Sequence, residues 1–237
     1  MPMKPKDTSP ATSQLYLASS SPRRRQLLSR AGIPFQRLAT LVDEEALTAA
    51  FRGEAQELGQ YLATAKALRA RDELVKAGKR GRILTADTTV LLDGRLLPKP
   101  RDSAEAAGML RDLRGREHIV ATGVALTEEN GCIVAATSTT RVLMREYSDA
   151  EMERYVASGD PLDKAGAYGV QHPGFQPVKA ISGCHLGVIG LPVCIVNALL
   201  NHSPVPPPYR GCPWSAECTE EADPESPERA SSGRSPA

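Results

Sequence analysis

The sequence predicts an α/β fold in which a mixed, twisted sheet is flanked by helices. Three observations carry that expectation. Strand-like apolar runs alternate with segments of helical periodicity over residues 14–202, as expected when helices pack on a sheet. One hairpin, marked by Asp93-Gly94, interrupts the alternation and favours antiparallel strands beside parallel ones. Finally, 41% of the 237 residues are apolar but only 4% are aromatic, so the core must be built mainly from Leu, Val, Ile and Ala.

Taken in order, the elements follow from local chemistry. Residues 15–18 form a short apolar strand that runs into Ser19-Ser20-Ser21-Pro22. Ser21 suits a helix N-cap and Pro22 the first helical position, and Gly32 stops the helix that follows. Residues 35–42 read as a strand. A long helix is expected over 54–77, with Leu58, Leu62, Ala65 and Leu68 on its apolar face. Residues 83–92 are strand-like and turn through Asp93-Gly94 into 95–97. A helix over 103–113 ends at Gly115, and two strands, 119–126 and 133–143, are joined by Glu129-Asn130-Gly131. Ser148 and Glu151 make a capping box for a helix over 148–157, and a last helix covers 191–200. The pattern does not give the strand order.

Composition divides the chain into three parts. Residues 1–13 and 203–237 are rich in Pro, Ser and charge, and are expected to be disordered tails around one domain, 14–202. The last 35 residues carry three Arg against six acids, which leaves +4 on the rest of a chain whose net charge is +1. That mild bias suits a small polyanionic ligand and does not suggest a nucleic-acid partner. No apolar run approaches the length of a membrane span, so no membrane is expected and a cytoplasmic location is. The five cysteines lack C-x-x-C spacing; Cys212 and Cys218 are expected to be free thiols, with a bridge between them as the alternative. The four histidines show no ligand spacing, and no histidine metal site is expected.

Four segments could carry chemistry. Ser19 to Arg25 lies between a strand and a helix start, where loop amides, hydroxyls, guanidiniums and the helix dipole favour phosphate. A solvated arginine cluster is an equal alternative. Asp87, within an apolar strand, is costly to bury without a partner and so reads as paired, metal-bound or facing a cleft. The alternative is a structural Asp capping a turn. Lys99 is aimed by its flanking prolines, while Lys66 and Glu44 would each read as surface residues if taken singly. Residues 163–171, Asp-Lys-Ala-Gly-Ala-Tyr-Gly-Val-Gln, suit a close approach of backbone to a ligand or an ordinary glycine-rich turn.

Together these segments resemble the Maf family of nucleoside triphosphate pyrophosphatases. The motif A-S-x-S-P-R-R is matched by Ala18 to Arg24, an acidic pair by Asp43-Glu44, and a helical lysine by Lys66-Ala67. A-D-T is Ala86-Asp87-Thr88, K-P is Lys99-Pro100, and D-K-A-G-A-Y-G-[IV]-Q is intact from Asp163 to Gln171. The resemblance implies a fold similar to that of inosine triphosphatases, around a central nucleotide cleft. It implies Asp87 as proton acceptor, with Glu44, Lys66 and Lys99 completing a charged site. A divalent cation, Mg²⁺ or Mn²⁺, would sit on Asp87 and Glu44, and Ser19, Arg23 and Arg24 would hold phosphate. Arg23, Thr88 and Gln171 match the branch acting on dTTP and UTP, in which they are thought to set base preference. The substrate implied is a nucleoside triphosphate, and a homodimer is left open. A non-catalytic nucleotide-binding regulator, for example of septum formation, is the alternative. The joint presence of Asp87, Glu44, Lys66 and Lys99 favours the enzyme, because binding alone needs no base. Three departures bear on substrate preference: Thr85 where Gly is usual, residues 172–178, and residues 184–187, where the usual Ser, aromatic and Asn are absent.

Overall fold

The computed structural model describes residues 13–205. The expected tails, apart from residues 13 and 203–205, and the Cys212–Cys218 question lie outside the described residues. The seven strands are β1 (Leu15–Leu17), β2 (Gln36–Arg37), β3 (Arg82–Leu92), β4 (Arg95–Leu96), β5 (Glu117–Thr127), β6 (Ile133–Met144) and β7 (Val178–Ser182). They form one sheet in the order β2-β1-β3-β5-β6-β7, with β4 paired to the far end of β3. β2, β1 and β3 are parallel to one another; β3, β5, β6 and β7 alternate antiparallel. The sheet is therefore mixed, as the hairpin suggested.

The helices are α1 (Pro22–Arg30), α2 (Glu44–Ala50), α3 (Leu58–Lys76), α4 (Ser103–Leu113), α5 (Asp149–Ala157), α6 (His185–Ile189) and α7 (Val193–Leu200). Short 3₁₀ turns occupy 55–57, 160–163 and 165–167. α3 packs on β3, β5 and β6. One core cluster joins α1, α6 and α7 to the sheet through Leu17, Leu28, Leu84, Leu126, Leu191 and Val196. A second joins α4 and α5 to the ends of β3, β5 and β6, with Leu110, Leu113, Met144, Met152 and Tyr155 at its centre. None of the helices among the described residues is long and apolar enough to cross a membrane.

The local signals at chain reversals hold. Ser21 caps α1 with Pro22 at its start, the Ser148–Glu151 box is complete, and Gly32, Gly94 and Gly115 all have positive φ. Three expectations are corrected. The strand over 35–42 is only two residues long; after Leu38 donates to Leu17 O, the chain leaves the sheet toward a cleft, with Leu41 almost fully exposed. The helix over 54–77 begins as a 3₁₀ turn, so α3 starts at Leu58. Its buried face runs through Leu58, Leu62, Ala63, Ala67, Ala70 and Leu74, while Leu68 is exposed and Ala65 only partly covered. Small residues win that face because α3 lies so close to the sheet that a Cβ on Gly123 of β5 would sit 2.2 Å from Gln60 N.

Candidate active site

A mismatch in strand length opens the site. β1 has three residues and pairs β3 only at 82–84, whereas β3 runs on to Leu92, where β4 takes up its edge. Between those pairings the β1 side of β3 is uncovered. The loop from Ala18 to Ser21, the 40–45 segment and residues 160–173 close around that gap to form a cleft of about 1190 Å³. All nine residues singled out in the sequence, Ser19, Arg23, Arg24, Glu44, Lys66, Asp87, Thr88, Lys99 and Gln171, line it.

At its floor Lys66 Nζ joins two carboxylates, Asp87 Oδ2 and, at 2.8 Å, Glu44 Oε1. The elements explain the meeting. Asp87 sits in mid-strand on β3, and Glu44 is the first residue of α2, whose N-cap Asp43 accepts from Ala46 N at 2.9 Å. Burial raises the Glu44 pKa, but the Lys66 hydrogen bond and charge, helped by Lys99 and Arg24, outweigh it and leave it below the ordinary value. Lys99 makes no hydrogen bond or ion pair among the described residues. Its loop is held because Leu97 N donates to Val90 O at 2.8 Å and Gly166 N donates to Leu97 O at 3.0 Å.

Arg24 is bound into the wall. Nε donates to Gly190 O at 2.8 Å, Nη1 to Ser19 Oγ at 3.3 Å and Nη2 to Thr88 Oγ1 at 3.2 Å. Burial pulls its pKa below the usual value, opposed chiefly by the charge of Asp87. Arg23 lies further out, 3.4 Å from Asp163 Oδ2, and Gln171 is exposed at the rim. Both also border a smaller hollow of about 530 Å³ beside α1.

Thr85 explains one departure from the family pattern. It is fully buried, and its hydroxyl donates to Ala63 O of α3 at 2.7 Å, which ties that helix to β3 two residues before Asp87.

Sequence reasoning missed several residues. The three ammonium protons of Lys164 meet Asp160 O, Asp160 Oδ1 and Asp163 Oδ1 at 2.6, 2.8 and 2.6 Å. Tyr155 donates to Asp160 Oδ2 and accepts from Gly169 N, so this cluster fixes the turn that presents Gln171. The Asp163-Lys164 signal was visible within residues 163–171; the parts of Asp160 and Tyr155 had none. Behind the cleft wall, Tyr168 Oη lies 2.7 Å from His118 Nε2. Among the described residues His118 Nδ1 is buried without a hydrogen-bond partner, and burial, which disfavours the charged ring, lowers it from its usual 6.5 to about 4.

A pH dependence follows. The unfolded chain protonates His118 near 6.5 and the folded protein only near 4, so the contribution is complete above 6.5 and is lost as the pH falls toward 4. We expect His118→Gln to remove a slope worth about 3 kcal/mol between those limits. Urea melts of both proteins at pH 7.5 and 5 should show about 2 kcal/mol of it, since pH 5 lies short of the folded value; equal pH responses would refute it.

The donor set fits a divalent cation. Mg²⁺ is commonly held by one or two carboxylates, with phosphate oxygens and water filling the rest of the shell. Glu44 and Asp87 each give one oxygen to Lys66 Nζ, and the second oxygen of each takes no hydrogen bond among the described residues, which leaves it open to a cation.

Residues 14–203 match the family described as Maf-like protein. A dTTP/UTP pyrophosphatase of Escherichia coli O157:H7 is 41% identical over 191 residues, covering 79% of this chain and 92% of the relative. One from Ralstonia nicotianae is 43% identical over 192 residues, covering 78% and 92%. A third, from Dictyoglomus turgidum, is 38% identical over 190 residues, covering 79% and 95%.

Proposed function

The chain belongs to the Maf-like family, and from that premise we propose that it hydrolyses dTTP and UTP to the nucleoside monophosphate and pyrophosphate. The observation that carries the reading is the convergence of Asp87, Glu44, Lys66, Lys99 and Arg24 on one cleft. The protein is a nucleoside triphosphate diphosphatase, and its place is the cytoplasm. Asp87 takes the proton of a water whose oxygen attacks the α-phosphorus. The bond from that phosphorus to the bridging oxygen breaks, and pyrophosphate carries the electron pair away. Lys66 holds the Asp87 carboxylate in place through Oδ2, and Lys99 and Arg24 offset phosphate charge. Mg²⁺ or Mn²⁺ on Glu44 and Asp87 would supply further charge neutralisation and a more acidic bound water. Ser19, Arg23 and Arg24 face the phosphates.

The test is pyrophosphate release from a panel of normal and modified nucleoside triphosphates with Mg²⁺ or Mn²⁺. Turnover of dTTP and UTP above the rest is expected; no release from any nucleotide would end the reading.

Thr88 and Gln171 bear on the base. A glutamine amide can both donate to and accept from the uracil edge. We expect Gln171→Ala to narrow the preference for UTP over CTP several-fold, up to about tenfold. Values of kcat/KM for both nucleotides decide this, and an equal loss on the two would make Gln171 merely structural.

A further inference from the structure

Thr122 of β5 lies directly opposite Thr88 of β3 and is fully buried, outside the lining of the cleft. Its hydroxyl lies 2.8 Å from Gly187 O and 2.9 Å from Thr88 Oγ1. A hydroxyl has one proton, and a carbonyl can only accept. The Thr122 proton therefore goes to Gly187 O, and Thr88 must donate to Thr122. With its proton spent, the Thr88 oxygen turns its lone pairs outward and accepts from Arg24 Nη2 at 3.2 Å. Every bond in the chain then runs one way, from Arg24 to Thr88, Thr122 and Gly187, the arrangement in which successive hydrogen bonds polarise one another.

The chain closes on itself. Gly187 lies in α6, and Gly190, which follows that helix, accepts from Arg24 Nε at 2.8 Å. Both routes from the guanidinium thus end on backbone carbonyls three residues apart, joining α1, β3, β5 and α6. Gly187 is also closely packed, since a Cβ there would lie 3.0 Å from Ser138 Oγ and that side chain would have to give by a few tenths of an ångström.

From this ring we propose that Thr122 is a positioning residue for nucleotide hydrolysis. By directing the Thr88 proton inward, it keeps Arg24 aimed into the cleft and makes Thr88 an acceptor there. The inference rests on the reading that the cleft holds a triphosphate. Without the Thr122 hydroxyl, the Thr88 proton loses its acceptor and is free to turn toward Arg24, where it would repel the guanidinium.

The experiment is a double-mutant cycle on pyrophosphate release from UTP, with thermal melts of every variant. Thr122→Val should lower kcat/KM about tenfold or more, mainly through KM. Thr122→Ser, which keeps the hydroxyl, should return it to within about twofold. In an Arg24→Ala background, Thr122→Val should add less than a twofold loss, because the residue it acts through is gone. Equal losses in the two backgrounds, no rescue by serine in a folded protein, or normal kcat/KM for Thr122→Val would each overturn the proposal. If the wild type releases no pyrophosphate from any nucleotide, the enzyme reading falls separately. The same cycle read by calorimetric titration with UTP then decides the positioning role, and absence of UTP binding would overturn that as well.

Discussion

Asp87→Asn is expected to lower turnover by at least about 10²–10⁴-fold, the usual contribution of a general base, while leaving the protein folded. The substitution nearly preserves shape and removes both the negative charge and the capacity to take a proton. The fold should tolerate it for reasons visible around the site. Lys66 keeps its 2.8 Å bridge to Glu44, so the ammonium is not left alone, and the amide oxygen can still accept from it. No cavity is created, and the backbone pairing of β3 with β5 through Asp87 and Gly123 does not depend on the side chain. Pyrophosphate release and a thermal melt, run together, test the two halves of the expectation. A folded variant with near-normal turnover would remove Asp87 from the mechanism and make Glu44 the next base to examine.

What could be read from the sequence was local. Ser21 before Pro22, the Ser148–Glu151 box and Asp93-Gly94 each act within four residues, and each sits where expected. α2 was missed because it buries none of its residues and so has no apolar face to detect; its one visible signal, the capping Asp43, was taken only as part of an acidic pair. β7 and α6 are five residues each, too short for periodicity to register. The strand expected over 35–42 failed at Leu41 and Val42, whose apolar character serves the cleft wall and not the sheet.

The site shows the same division. Asp87 stood out because a carboxylate in an apolar strand needs a reason, and the cleft with Lys66 supplies it. Lys66 and Glu44 had no such contrast with their surroundings, and only the family resemblance brought them forward. Thr122 was hidden more completely. A threonine in a strand is ordinary, and its role rests on the proton count of three groups drawn from β3, β5 and α6. The absence of the usual residues at 184–187 bears on substrate preference, yet Gly187 meets Thr122 through its backbone carbonyl, as Gly190, three residues on, meets Arg24.

Gly123→Ala is expected to destabilise the protein by more than about 1–3 kcal/mol, the common cost of overpacking, and to reduce turnover with it. The new Cβ would lie 2.2 Å from Gln60 N, 2.3 Å from Gln60 Cα and 2.4 Å from Gly59 C, all in the first turn of α3. These are backbone atoms that no rotamer change can move aside. Gly59 is tight from the other side, since a Cβ there would come within 3.1 Å of Asp87 O. The helix therefore rests on the sheet beside Asp87, and Lys66, two turns further along α3, reaches the Asp87 carboxylate from that seat. Side chains on a helix lean toward its N-terminus, which suits this reach. Lifting α3 should pull Lys66 away from Asp87 as well as loosen the core. Gly108→Ala in α4 is the matched control. Nothing lies within 4 Å of a Cβ at that position, so the same methyl should instead stabilise the protein by roughly 0.5–1 kcal/mol through helix propensity. Thermal melts and pyrophosphate release from both variants decide the point. If Gly123→Ala melts with the wild type, then α3 is not seated on the sheet by that glycine, and the placement of Lys66 needs another cause.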